Sequence, residues 1–155
     1  MRWLRPILLG GLVAGAIDLA DAMLVFGLRG IAPFRILQAI ASGWLGMAAF
    51  QGGNQTALLG LFFHFLIATG AAATYVLASR RFAVLRTRPI AAGLLFGLLV
   101  YGFMNLVVLP LSAARSGGDS LLLQLNGIAV HMVGVGLPIA WITSKYRPQS
   151  DPMLR

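Results

Sequence analysis

Asp18, Asp21, His64, Asn105 and His131 stand inside long apolar stretches of the chain, with Tyr101 one helical turn before Asn105. These are the residues whose types could do chemistry. Imidazoles and carboxylates bind protons and cations, hydrogen-bond small polar solutes and ligate metals. In hydrocarbon such a group costs about 2.5–3.5 kcal/mol or more if it faces lipid, so it turns inward, pairs, and marks a candidate site. Each histidine follows a glycine by one turn, as Gly60-x-x-x-His64 and Gly127-x-x-x-His131. Asp18 and Asp21 lie three residues apart, so on a helix they are neighbours. They could share a proton or bind a cation, but they cannot flank a substrate from opposite sides.

Several chemistries find little support in the residue types. Glutamate and cysteine are absent, and no serine lies within the cores of the apolar segments. There is no nucleophile beside a base, no phosphate-binding glycine loop and no H-E-x-x-H motif, so the expectation is a protein without enzymatic activity. Without cysteine there are no disulfides, thiolate metal sites or covalently attached c-type haem. A bis-histidine haem b on His64 and His131 is one alternative, because helix bundles hold cofactors from facing helices. Carboxylates in the same layer suit it poorly. A metal ion on the histidines and an aspartate has acceptable ligand types, but no local spacing motif supports it.

The elements that must position these residues follow from composition. Hydrophobic residues make up 59% of the 155 and charged residues 10%, with a mean hydropathy of +0.86. Soluble domains carry about 25% charged residues, so this chain lacks the polar surface to face water all round. Four apolar stretches, 6–28, 56–79, 89–113 and 121–144, each have the roughly 20 residues that cross a hydrocarbon core about 30 Å thick. The backbone must satisfy its own hydrogen bonds there, which makes them helices. The first could be mistaken for a cleaved signal, with Arg2, Arg5 and a small-residue Ala20-Asp21-Ala22. Asp18 interrupts its apolar run, however, and apolar residues continue through Phe26 and Leu28, which reads as a retained first span.

An internal duplication organises the four spans. Arg5-Pro6-Ile7 followed by Gly10 opens the first, and Arg88-Pro89-Ile90 followed by Gly93 opens the third. The second and fourth carry the Gly-x-x-x-His motif and end at Ser79-Arg80-Arg81 and Ser144-Lys145. Two helical hairpins of the same orientation are therefore expected. The first is longer by an insertion at 33–50, a helix opened by Pro33 and stopped by Gln51-Gly52-Gly53-Asn54. Its Arg35, Gln38 and Ser42 form one polar stripe, which suits an interfacial or shallow re-entrant helix. A fifth span is the alternative.

With a net charge of +8, nucleic acid is a conceivable partner, but the cations cap the apolar segments and form no basic stripe interleaved with aromatics. They read as topology signals and contacts to the lipid bilayer. In a four-span arrangement Arg2, Arg5, Arg80, Arg81, Arg86, Arg88, Lys145, Arg147 and Arg155 share one side, and Arg29, Arg35 and Arg115 the other. The positive side is cytoplasmic, which puts both termini inside a bacterial-type inner membrane and Trp3, Trp141 and Tyr146 at the inner interface. Five spans give the same balance. The duplication favours four.

Small-residue stripes then predict which faces meet. They run through Gly11, Gly15, Asp18 and Ala22; Gly60, His64, Ala68 and Ala72; Gly93, Gly97, Tyr101 and Asn105; and Gly127, His131 and Gly134. Counting about 1.5 Å per residue from the outer helix ends puts Asp18, Asp21, His64, Asn105 and His131 roughly 10–17 Å deep, with Tyr101 one turn deeper. At least one aspartate is expected within hydrogen-bonding or one-water reach of a histidine or Asn105. Such a layer could bind or translocate a small solute, ion or proton, or could merely set helix register in an accessory subunit that docks on other membrane subunits or a second copy through its glycines. In plan the chain resembles small four-helix bacterial inner-membrane proteins without assigned function. That resemblance implies an all-α membrane bundle of a single domain, and carries no activity or site residues with it.

Overall fold

A computed structural model describes residues 3–114 and 120–146. The charges assigned above to Arg2, Arg115, Arg147 and Arg155 lie outside the described residues. The architecture is all-helical. Four helices are long and apolar enough to cross a membrane: α1 (Leu4–Gly27), α3 (Gly53–Arg81), α5 (Pro89–Leu111) and α6 (Leu121–Lys145), of 24, 29, 23 and 25 residues. A shorter helix α2 (Pro33–Leu45) and a 3₁₀ turn, Gly46–Gln51, fill the first connection, and a single turn α4 (Val84–Thr87) fills the second. Large apolar side chains such as Leu12, Leu24, Phe62, Leu99 and Leu106 point outward. Hydrocarbon tolerates that pattern and water does not.

Glycine decides how closely the helices approach. A Cβ on Gly11 would lie 2.6 Å from Thr69 Cα on α3, so α1 and α3 form one tight seam. Gly97 of α5 lies against the His131 carbonyl, and Gly136 of α6 against the Gly93 carbonyl, which makes the second seam. The α1–α6 contact joins the two hairpins. A core of Ala14, Ala72, Tyr75, Val135, Ile139 and Ala140 closes the half of the bundle nearer the termini. There Tyr75 of α3 meets Phe96 of α5 edge-on, centroids 4.9 Å apart, and its hydroxyl donates to the Leu85 carbonyl at 2.7 Å. Arg86 donates to the Ser79 carbonyl, tying the short connection down. Trp3 lies under Arg80 and Trp141 under Lys145 at this same end. Farther from the termini, α3 and α5 are not packed along their length.

The inserted helix is shorter than the expected 33–50, and its polar stripe turns inward on the chain. Gln38 is 0% exposed, whereas Trp44 on another face is 76% exposed. Gln38 donates to the Gly53 carbonyl and to Thr56 Oγ1, both at 3.2 Å, and accepts from Arg35 at 3.1 Å. Gln38 is thus spent on the first turn of α3 and Arg35 on the Phe50 carbonyl of the 3₁₀ segment, while Ser42 donates to the Ala39 carbonyl of its own helix; these are polar partners that hydrocarbon does not offer. Gly60 admits the Leu37 carbonyl of α2 where any side chain would collide. With 13 residues, α2 is about 20 Å long, too short for a fifth span. It ends at Gly46, whose φ of 58° favours glycine, and the following Gly46–Gln51 is a 3₁₀ turn rather than a continuation of the helix.

Two prolines reshape the second hairpin. Pro110 and Pro138 lack an amide, and their rings press on the carbonyls four residues back, Leu106 and Gly134. Both carbonyls fall inside π-helical turns, Met104–Val108 and His131–Gly136. Widening the turn relieves the clash without breaking the helix. Pro138 therefore acts by widening its helix, and Pro110 does the same on α5.

Candidate functional site

Four of the six polar residues singled out by sequence converge. Asp18 from α1, His64 from α3, Asn105 from α5 and His131 from α6 line one cavity of about 500 Å³. It occupies the half of the bundle away from the termini, between α3 and α5 where those helices separate. Arg35, Ile36, Ala39 and Ile40 of α2 complete its wall. Most of the lining is aliphatic, with Ile67, Val100 and Met104 among it. Asn105 and His131 both sit in the proline-induced π turns, and such turns recur at functional sites in helices.

Each histidine is oriented by a backbone carbonyl. His64 Nε2 lies 2.8 Å from the Gly15 carbonyl of the neighbouring helix. His131 Nδ1 lies 2.9 Å from the Gly127 carbonyl of its own helix. A carbonyl only accepts, so the ring nitrogen facing it carries the proton. The two Gly-x-x-x-His motifs are used differently. Gly127 makes room for the Tyr101 ring, which a Cβ would approach to 2.7 Å, and Tyr101 in turn packs edge-on against His131 at 5.4 Å. Gly60 instead receives α2. Tyr101 thus supports the His131 ring from outside the cavity lining.

Asp18 lies 3.7 Å from His131 Nδ1, which is ion-pair range but longer than a hydrogen bond. Asn105 turns back on its own helix and donates to the Tyr101 carbonyl at 2.9 Å. Asp21 leaves the group altogether. Its Oδ2 accepts from Asn126 Nδ2 of α6 at 2.8 Å, and it is not part of the cavity lining. Sequence reasoning passed over Asn126, although a carboxamide within an apolar helix is the signal that could have found it. Arg35 and Ser112 were also missed as lining residues. Their place on the wall depends on how α2 and the end of α5 fold over the bundle.

Among the described residues no three His, Asp or Glu side chains come together closely enough to hold a metal ion. A bis-histidine haem fits poorly as well. Ligating histidines commonly bind through Nε2 while Nδ1–H is held by a carbonyl or carboxylate. His131 is oriented so, but His64 is reversed, and the Asp18 carboxylate adds negative charge to the wall. Compared with known proteins, the chain matches no protein-family model, no curated sequence and no solved structure.

Proposed function

We propose that the chain is a multi-pass protein of a bacterial-type inner membrane, with cytoplasmic termini, that binds a small solute in the cavity between its four long helices. The observation that carries this reading is the convergence of Asp18, His64, Asn105 and His131, one from each long helix, on a single cavity. A network built only to set register needs no space between its members, and interhelical hydrogen bonds return only about 0.6 kcal/mol on average. The glycines through which an accessory subunit would dock are consumed inside this chain: Gly11, Gly15, Gly60, Gly93, Gly97, Gly127 and Gly134 all face its own residues. The role is binding or passage of the solute, not its chemical conversion.

The orientation rests on the cations at the termini end. Reporter fusions at Phe50, Gly117 and Arg155 test it, with external signals expected at 50 and 117 and a cytoplasmic one at 155. A cytoplasmic signal at 117 would overturn the topology. Binding is tested by native mass spectrometry of the protein released from membranes in mild detergent. Ala39→Leu, which enlarges an exposed lining residue of α2 at the cavity, should abolish any co-purifying small molecule without loss of fold. An absorption spectrum of the same sample without a Soret band removes the haem alternative.

A further inference from the structure

The hydrogen-bonding polarity of the cavity identifies the class of solute. The N–H of His64 is spent on the Gly15 carbonyl and that of His131 on the Gly127 carbonyl. In the neutral rings the remaining nitrogens, Nδ1 of His64 and Nε2 of His131, are lone-pair acceptors. One N–H of the Asn105 amide donates to the Tyr101 carbonyl, leaving its second N–H to donate and its oxygen to accept. Ser112 donates to the Leu109 carbonyl at 2.8 Å. Asp18 is acceptor-only when ionised, and no donor among the described residues lies within hydrogen-bond distance of it. Its nearest polar partner is the already committed His131 Nδ1 at 3.7 Å. Among the described residues the cation on the wall is Arg35, whose Nη1 donates to Gln38 Oε1 and to the Phe50 carbonyl at the exposed rim; its remaining N–H groups stay at that rim, and it makes no ion pair with Asp18.

Resting on the binding role proposed above, the geometry points to a ligand that is an organic cation, a protonated amine carried on a compact apolar body. Among the described residues, the wall away from the Arg35 rim offers acceptors at His64, His131, Asn105 and Asp18, and Asp18 has no donor of its own, so the group that complements it is an N–H donor with positive charge. The aliphatic remainder of the lining demands that the rest of the ligand be apolar. Carboxylates, phosphates and sulfonates bring further acceptors and negative charge, and they are disfavoured beside Asp18 by repulsion and by the unpaired acceptors of the two histidines.

An isosteric series tests it: 1-adamantylammonium, 1-adamantanol and adamantane-1-carboxylate, titrated calorimetrically into the full-length protein in lipid nanodiscs, with empty nanodiscs as the blank. The ammonium compound should bind at least tenfold more tightly than the alcohol, with no saturable binding of the carboxylate. Asp18→Asn should remove most of the advantage of the ammonium over the alcohol. Asp21→Asn, which lies off the cavity, should keep that advantage. Should Asp18→Asn fail to fold, Ala39→Leu serves in its place and should weaken ammonium and alcohol alike. Equal or tighter binding of the alcohol or carboxylate would overturn the cation assignment while leaving the cavity a binding site. Failure of all three probes to bind, with the same small molecules co-purifying with Ala39→Leu as with the unaltered protein, would overturn both readings.

Discussion

Asp21 Oδ2 accepts a hydrogen bond from Asn126 Nδ2 at 2.8 Å, while Asp18, one turn earlier on the same helix, faces His131 across 3.7 Å without a donor. Two carboxylates three residues apart thus have different tasks. One fastens α1 to α6, and the other borders a cavity.

The fastening makes the first prediction. Asp21→Ala and Asn126→Ala should each destabilise the bundle by about 0.5–2 kcal/mol, the range of interhelical hydrogen bonds in membranes. The double variant should cost little more than either single one. A thermodynamic cycle in a denaturant titration reads the coupling, and strictly additive losses would show that the pair contributes nothing.

A second prediction concerns the α5–α6 seam. Gly97 lies against the His131 carbonyl, whereas Gly102 on the same helix has nothing within 4 Å of where a Cβ would be. Gly97→Ala should lower stability by about 2 kcal/mol or more, because the backbones must part. Gly102→Ala should be neutral or slightly stabilising, since alanine favours helix. Thermal unfolding followed by circular dichroism separates the two, and equal melting temperatures would contradict this seam.

The prolines provide a third. In Pro110→Ala and Pro138→Ala an amide is restored, and each π turn can tighten to α-helix. Stability should hold or rise by about 1 kcal/mol per recovered hydrogen bond. Binding of the ammonium probe should nonetheless fall at least fivefold, because the residues ahead of the proline rotate relative to the cavity. Unchanged affinity in both variants would mean that the π turns do not position Asn105 and His131.

The outward face of α2 makes the fourth. The chain has no cysteine, so single-cysteine variants can be labelled uniquely. Trp44→Cys should react with an apolar maleimide and resist a charged one in intact vesicles. Asn54→Cys, exposed beside the start of α3, should react with the charged reagent. Similar rates for the charged reagent at both positions would place α2 in water.

Much of this molecule is legible in its residues, for definite reasons. The number and extent of the long helices follow from apolar length, because the thickness of hydrocarbon and the need for internal backbone bonding admit one solution. Asp18, His64, Asn105 and His131 stand out because ionisable and amide groups in such helices are too costly to leave outside. Depth counting brings them to one level, since a helix rises uniformly. What depth cannot supply is azimuth. Successive helix positions turn by about 100°, so whether Asp21 joins the cavity or pairs with Asn126 depends on how α1 rotates against α6. That rotation is set by packing at Gly10, which meets Ile139, and at Gly134, which meets Ile17. The polar stripe of Arg35, Gln38 and Ser42 was plain in the sequence, but its partner was not, because Gly53 and Thr56 come within reach only once α2 folds back along α3. The cavity itself is wholly a property of the tertiary structure. It exists because α3 and α5 meet at Tyr75 and Phe96 and separate beyond them, leaving space that no local pattern of residues records.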